Sequence, residues 1–402
     1  MIINNQHKYN LTYCLNVFKS KNWEETLYNI KIFVSNIKKT YPNKEIGIGL
    51  CISNSISKEL IKKRNLLDLI ILIKNENIYI PSINGFVYKK FHQKSIKDKI
   101  YIPEWTSNSR ILYTKLLIKI LKELLPKNVN GSITTLPISY KPWINKKNKT
   151  YIFYKSSINI SKIIDILINI NKKYKKLIHL DIEPEPNCLI ENSKEIVRFY
   201  KLWLLPIGSD YLRNKYNIEK KIAIALIKDH IKICYDICHF STNFEKTTTI
   251  IKLLTKEKIK IGRIQISSAI KIKTPKKKEK FKKIINKISH LSYSPFLHQT
   301  VEKNNNQIKK FIDIKYAIKT IKKNKKSEWR IHCHLPIYLK KYSILETTNK
   351  DTKSVLKNLI NNKITNHIEI ETYTYNVISP NSDIMASIIK EYNWVIEILE
   401  TK

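Results

Sequence analysis

Glycine and arginine are scarce in this 402-residue chain, with six of each. Too few glycines leave no Gly-rich phosphate turn after the first strand-like run, which weakens any dinucleotide-binding reading. The arginine shortage bears on charge. A formal net charge of +41 is ordinarily the footprint of a polyanionic partner. Yet arginine supplies only residues 64, 110, 198, 213, 263 and 330 of the 74 basic residues, leaving 68 lysines. Base and phosphate recognition draws on the arginine fork. Lysine, isoleucine and asparagine share AT-rich codons, so an AT-rich genome, as in an organelle or endosymbiont, explains the skew without nucleic acid.

Cysteine spacing excludes more. The six cysteines (14, 51, 188, 234, 238 and 333) include no C-x-x-C pair and lie mostly in or beside apolar runs. That suits reduced, buried thiols rather than a disulfide framework. The longest apolar run, "LLDLIILI" at 66–73, is far too short for a membrane span, and "MIINNQHKYN" does not read as a secretory signal. A soluble protein is expected. Hydrophobic residues make up 43% of the chain, a globular composition.

Short apolar runs alternate with longer helical patterns. Strand-like runs are "LTYCLNV" (11–17), "EIGIGLCIS" (45–53), "IYIPSINGF" (78–86), "GSITTLPIS" (131–139), "KLIHLDIEPEP" (176–186), "IKICYDICHF" (231–240), "KIGRIQISSA" (260–269), "FLHQTVEK" (296–303), "WRIHCHLPI" (329–337) and "HIEIETYTYNV" (367–377). Strands separated by helices predict right-handed βαβ units and a parallel sheet. Ten runs exceed the eight of a (β/α)8 TIM barrel, so the expected fold is one α/β barrel domain over residues 1–402 with an insertion around 290–340. An open doubly wound sheet is the alternative.

Side-chain alternation favours the barrel, because strand residues change face with period two. His179, Asp181, Glu183 and Glu185 share one parity, as do His367, Glu369 and Glu371. Arg263, Gln265 and Ser267 oppose Ile264 and Ile266, and Arg330, His332 and His334 oppose Ile331 and Cys333. A barrel strand turns its apolar face to the helices, so the polar sets converge near the axis. Carboxylates there are costly unless paired or bound to a cation.

Glu183 or Glu185, Asp236 with His239, Gln265 and Glu371 fall at C-terminal strand ends, where barrel enzymes place their sites. Carboxylates with an amide or imidazole form a divalent site for Mg, Mn or Zn. Such an ion polarises a carbonyl, and flanking glutamates move protons. An interior salt-bridge network built on Arg263 and Arg330 is the competing reading. His332 and His334 can bind a metal or an anionic substrate, or serve as one core and one loop histidine. His298 and Glu302 are a weaker pair. The basic-aromatic stretch 83–105, with Asn84, Tyr88, His92, Lys97 and Lys99, can close over a polar substrate or be a solvated loop. The lysine runs at 275–283 and 322–326 read as solvated helix faces.

The motifs "LTYCLN", "INGFVYKKFH", "YIPEW", "GSITTLP", "HLDIEPEPNC", "CYDICHF", "RIQISSA", "LHQTVE", "WRIHCHLPI" and "EIETYTYNV" occur in an order that resembles the EboE family of metabolite traffic proteins. That family comes from a eustigmatophyte and bacterial operon and belongs to the xylose-isomerase-like TIM-barrel superfamily. The resemblance implies Glu183, Asp236, Gln265 and Glu371 as metal ligands. It maps His239 to the same site and implies Glu183 and Glu371 as catalytic; with His239, the residues Asn84, His332 and His334 singled out above are the candidates for substrate binding. Two departures stand out: Gln265 replaces the usual seventh-strand His, and "GFVYK" stands where a "GFPYG"-like loop is expected. The resemblance further implies a sugar-like or polyol-like metabolite, partner proteins of the same operon, and a plastid stroma location for an organelle-encoded protein, with a bacterial cytoplasm as alternative. A divalent-metal isomerase or epimerase is thus expected. A non-catalytic metabolite-binding barrel is the second reading. A metal-dependent nuclease is the third, but the ends of its second and third strands would need histidines where this chain has Cys51 and Asn84.

Overall fold

The computed structural model describes residues 1–4, 8–89, 97–275, 277–320, 327–375 and 383–400. Eight parallel strands form a closed barrel: β1 (Lys8–Cys14), β2 (Ile46–Cys51), β3 (Ile78–Asn84), β4 (Gly131–Thr135), β5 (Ile178–Ile182), β6 (Ile231–Asp236), β7 (Ile261–Ile266) and β8 (His367–Ile370). Each pairs with its neighbours in sequence. β8 closes the ring on β1, with Ile368 opposite Leu11 and Ile370 opposite Tyr13. The short strand Ile2–Asn4 adds antiparallel to β1.

Period-two alternation explains why these segments make a barrel with a polar lumen. Leu11, Ile48, Leu180, Ile264 and Ile368 are buried against the surrounding helices, each worth about 1.5–3 kcal/mol of burial. Helix Trp23–Thr40 shows the outer layer. Asn22 caps it by accepting from the Glu25 amide at 2.9 Å, and Ile30, Phe33, Val34 and Ile37 form its buried stripe.

The long segment between β7 and β8 builds a second, six-stranded sheet. Its order is Gln307–Phe311, Thr300–Asn304, Glu328–Leu335, Ser268–Lys273, Leu345–Thr347, Lys341–Tyr342, and all its pairings are antiparallel. "FLHQTVEK" and "WRIHCHLPI" therefore belong to this sheet, not to the barrel wall. Ile331, Cys333 and Leu335 pack into a separate apolar cluster with Trp329, Ile270 and Ile288. His332 and His334, on the opposite parity, turn to the barrel mouth, where they line a cavity with the β5 and β6 ends.

The helix Lys220–His230 precedes β6, and β6 runs directly into the short helix Ile237–Thr242, which is followed by the helix Thr247–Lys256. Among the described residues, no helix is long and apolar enough to cross a membrane. All six cysteines are free. His92 and the lysine run at 322–326 lie outside the described residues.

Candidate metal centre at the barrel mouth

The lumen holds two layers of carboxylates. In the lower layer Glu369 lies 2.9 Å from the Arg263 guanidinium, with both side chains buried. It also accepts hydrogen bonds from Ser82 Oγ (2.7 Å) and Thr12 Oγ1 (3.1 Å). Asp181 meets His179 at 2.7 Å and accepts from Ser132 Oγ at 2.6 Å. Burial pushes the Asp181 carboxyl up, but His179, Ser132 and Arg263 outweigh it and hold it below its ordinary value. Room for this layer comes from absent side chains. A Cβ on Gly49 would fall 2.1 Å from Glu369 Oε2, and one on Gly262 would fall 2.2 Å from Asp181 Oδ1. The salt-bridge reading is thus correct for Arg263 at this depth. Arg330 is elsewhere, paired with Glu328 and Asp351 and lying over the Phe244 ring.

One layer up, the ligand oxygens of Glu183, Asp236 and Glu371 lie within 4.8 Å of one another. All three residues are buried, and Glu183 Oε2, Asp236 Oδ2 and Glu371 Oε2 have no hydrogen-bond partner among the described residues. Burial first, and then mutual repulsion, drives Glu183 and Glu371 well above the ordinary carboxyl value. Burial also raises Asp236, against the pull of His334.

The second oxygens of Glu371 and Asp236 are spoken for. Glu371 Oε1 accepts from Asn16 Nδ2 and Asn84 Nδ2, both at 2.9 Å. Asn84 thus holds a carboxylate as well as lining the cavity. Asn16, at the end of "LTYCLN", is a contributor that strand parity did not single out, because it lies beyond the strand. Asp236 Oδ1 accepts the His239 amide at 3.0 Å as N-cap of helix Ile237–Thr242. This explains the three-residue spacing: the strand ends on the cap, and the first helical turn brings His239 over the mouth. Downstream of Glu371, Thr372 and Tyr13 donate to buried Glu391 at 2.8 and 2.7 Å, pinning the segment after β8.

Gln265 is in the layer but turned aside. Its Oε1 accepts from Cys234 Sγ at 2.8 Å, and its Nε2 has no partner among the described residues. Only the oxygen can ligate a cation, and exchanging the two ends of the amide would present it.

Three histidines roof the layer. His332 Nε2 lies 3.1 Å from His239 Nε2 and 2.9 Å from His334 Nε2. Burial lowers all three: His239 to about 3, His334 to about 4, and His332 well below its ordinary value. Behind them, Glu185 accepts from Tyr101 (2.8 Å) and from Gln299 Nε2 (3.1 Å) and is raised by burial to about 8. The free space among these groups is about 40 Å³, bounded also by Phe86, Val87, Ile100 and Tyr373. That is room for about one water or ion, not a sugar. Larger cavities of about 650 and 810 Å³ lie on other surfaces, one lined by residues at the N-terminal ends of the strands and the other by residues of the inserted sheet.

From the loop after β3, Tyr88 bonds Asn54 through its hydroxyl at 3.0 Å and Lys97 pairs with Asp313 at 2.8 Å. His298 donates through Nδ1 to His332 O, 2.9 Å away, while its buried Nε2 has no partner among the described residues.

No protein-family model matches the chain, and no curated protein matches it. Solved structures do. A xylose isomerase-like TIM barrel protein from Mycobacterium smegmatis in complex with magnesium aligns over 98% of this chain and 97% of its own, at 8% identity and a TM-score of 0.50. An L-ribulose 3-epimerase aligns over 97% and 94%, at 9% identity and a TM-score of 0.49. The IOLI protein with a bound zinc atom aligns over 96% and 98%, at 13% identity and a TM-score of 0.48. The chain folds as a TIM barrel, similar in fold to the xylose isomerase-like protein.

Proposed function

We propose that this protein is a divalent-metal-dependent isomerase or epimerase of a small sugar-like or polyol-like metabolite. One observation carries the reading: three buried carboxylates converge, each with an orphaned oxygen, and among the described residues no lysine or arginine is paired with them. A buried polar atom without a partner costs about 1–3 kcal/mol, and more if charged, so the arrangement is stable once a cation neutralises it. The all-oxygen donor set of Glu183, Asp236 and Glu371, with Gln265 after an amide flip, suits Mg or Mn. The structurally similar Mycobacterium protein was obtained in complex with magnesium.

When bound, the ion would polarise a carbonyl or alkoxide oxygen of the substrate. Glu183 and Glu371 stand at the ends of different strands. One takes a proton from the carbon beside the carbonyl, and the other returns a proton to that carbon or its neighbour. Asn16 and Asn84 hold Glu371 in place, and closure of the mouth excludes water. The 40 Å³ space requires Phe86, Val87, Ile100 and Tyr373 to part before a sugar enters.

The test has two arms. Metal analysis of protein purified without chelator is expected to find a divalent ion that Asp236→Ala and Glu371→Ala lose. Pentoses and hexoses incubated in D₂O are expected to take up deuterium at the carbon beside the carbonyl. Absence of any ion in every preparation overturns the reading. The closed mouth and the Gln265 amide turned to Cys234 favour a second reading, a metabolite-binding barrel without turnover. Metal and sugar binding with no deuterium uptake would establish that one.

The ordered motifs support placing the chain with the EboE family, in the processing or traffic of secondary-metabolite precursors beside the other proteins of that operon. Its AT-rich composition supports a plastid stroma location, with a bacterial cytoplasm as the alternative. Recovery from isolated plastids with an operon partner would test both, and its absence there would count against them.

A further inference from the structure

We propose that the three histidines form a second metal site, chemically distinct from the carboxylate site and joined to it through Asp236. The tautomers are fixed from behind. His239 Nδ1 faces Pro184 O at 2.8 Å, and His334 Nδ1 faces Glu371 O at 3.0 Å. His332 Nδ1 faces Gln299 Oε1 at 2.7 Å. That oxygen is assigned by its own amide, because Gln299 Nε2 lies against Tyr101 Oη, Glu185 Oε1 and Pro186 O. A carbonyl oxygen only accepts, so each Nδ1 carries the hydrogen. Each neutral ring then presents a bare lone pair at Nε2. These are the atoms found 2.9 and 3.1 Å apart. Lone pairs at that distance with no proton between them repel, whereas a cation at their focus binds them all. Imidazoles whose other nitrogen is fixed by a carbonyl are the usual form of a metal-ligating histidine.

The fourth ligand follows from what is open. Cys238, Glu185 and Asp236 each come within reach of histidine pairs. Cys238 Sγ points to Cys333 O, and Glu185 Oε1 is occupied by Tyr101 and Gln299. Asp236 Oδ2 is unpartnered and lies 3.8 Å from His239 Nε2 and 4.0 Å from His334 Nε2. Three imidazoles and one carboxylate oxygen select a borderline ion such as Zn²⁺ over Mg²⁺. Asp236 also belongs to the carboxylate group, so the two ions would be neighbours bridged by one residue. Two adjacent oxygens of a hydroxy-carbonyl or polyol substrate could then be held at once. The bridge rests on the proposed function, while the histidine site is argued from its own atoms.

The deciding experiment is zinc content with zinc K-edge X-ray absorption on the full chain. Wild type is expected to hold one zinc with about three imidazole ligands per ion. His332→Ala and His334→Ala should each lower zinc affinity by about ten-fold or more while keeping Mg²⁺- or Mn²⁺-dependent stabilisation. Glu183→Gln and Glu371→Gln should do the reverse, so failure of one site is separable from failure of the other. Should the histidine variants misfold, chelator-treated wild type titrated with Zn²⁺ against a chromophoric chelator gives the same decision. Zinc without imidazole scattering, zinc retained in both histidine variants, or no zinc bound by wild type after reconstitution overturns the proposal.

Discussion

Asp181 and Glu183 stand two residues apart at the end of the fifth strand, and Glu369 and Glu371 stand two apart at the end of the eighth. The spacing is about 7 Å along a strand, yet the two levels are opposites. The lower carboxylates are enclosed by Arg263, His179 and hydroxyls. The upper ones face one another with bare oxygens. A buried charge that is matched within the protein maintains the fold. A buried charge left unmatched is held in readiness for something that arrives from outside.

The sharpest way to break this contrast is to strip the lower layer of its cation. Arg263→Met leaves Glu369 buried and uncompensated and should cost about 3–5 kcal/mol, read from urea denaturation. A loss below 1 kcal/mol would mean that the lower layer is not an obligate pair. Next comes Gly49→Ala, whose new methyl meets the Glu369 carboxylate. Overpacking of this kind should cost about 1–3 kcal/mol in the same measurement, with the cation response of the upper layer intact.

pH separates the layers by sign. Glu183, Glu371 and Glu185 have folded-state values above their unfolded ones. The metal-free fold therefore binds more protons than the unfolded chain. This stability is complete below the ordinary 4.5 and is lost as pH rises, with Glu185 contributing up to about 8. Asp181 is depressed, so its contribution is present above its unfolded value and disappears only in acid. His239, His332 and His334 are lowered by burial and act with the opposite sign below their ordinary 6.5, so melting curves of chelator-treated protein should fall between about 6.5 and 8, and a saturating divalent cation should flatten the decline. A decline unaffected by cations would detach it from the upper layer. The smallest effect belongs to Asn84→Ala, which removes one of the two amide donors to Glu371 Oε1 and should weaken cation binding by about ten-fold with little change in metal-free stability. Isothermal titration would show whether the asparagine orients a ligand in this way, and unchanged affinity would exclude it.

Alternation along the strands was enough to turn Glu183 and Glu371 to the lumen, and the end of an apolar run marked Asp236. Parity reports which face a residue occupies. It does not report depth along the axis, so nothing in "EIE" distinguished paired Glu369 from unpaired Glu371. Nor does it report which sheet owns a strand. "RIHCH" has the same two-faced pattern as a barrel strand, yet it lies in the inserted sheet and reaches the mouth from above. Arg330 shares the parity of its histidines but sits far enough back on the strand to pair with Asp351. Gln299 and Asn16 orient His332 and Glu371 from turns or strand ends where no periodic signal exists.

Asp236 closes a strand, caps a helix and presents its second oxygen to the mouth. Those duties differ in the chemistry they demand. Capping needs only an acceptor, and asparagine serves there about as well as aspartate; presenting the other oxygen to a cation draws on negative charge. The two roles can therefore be separated by a single atom. Replacing one carboxylate oxygen by an amide nitrogen preserves the turn that sets the backbone of His239 and removes the charge. Truncation to alanine removes both.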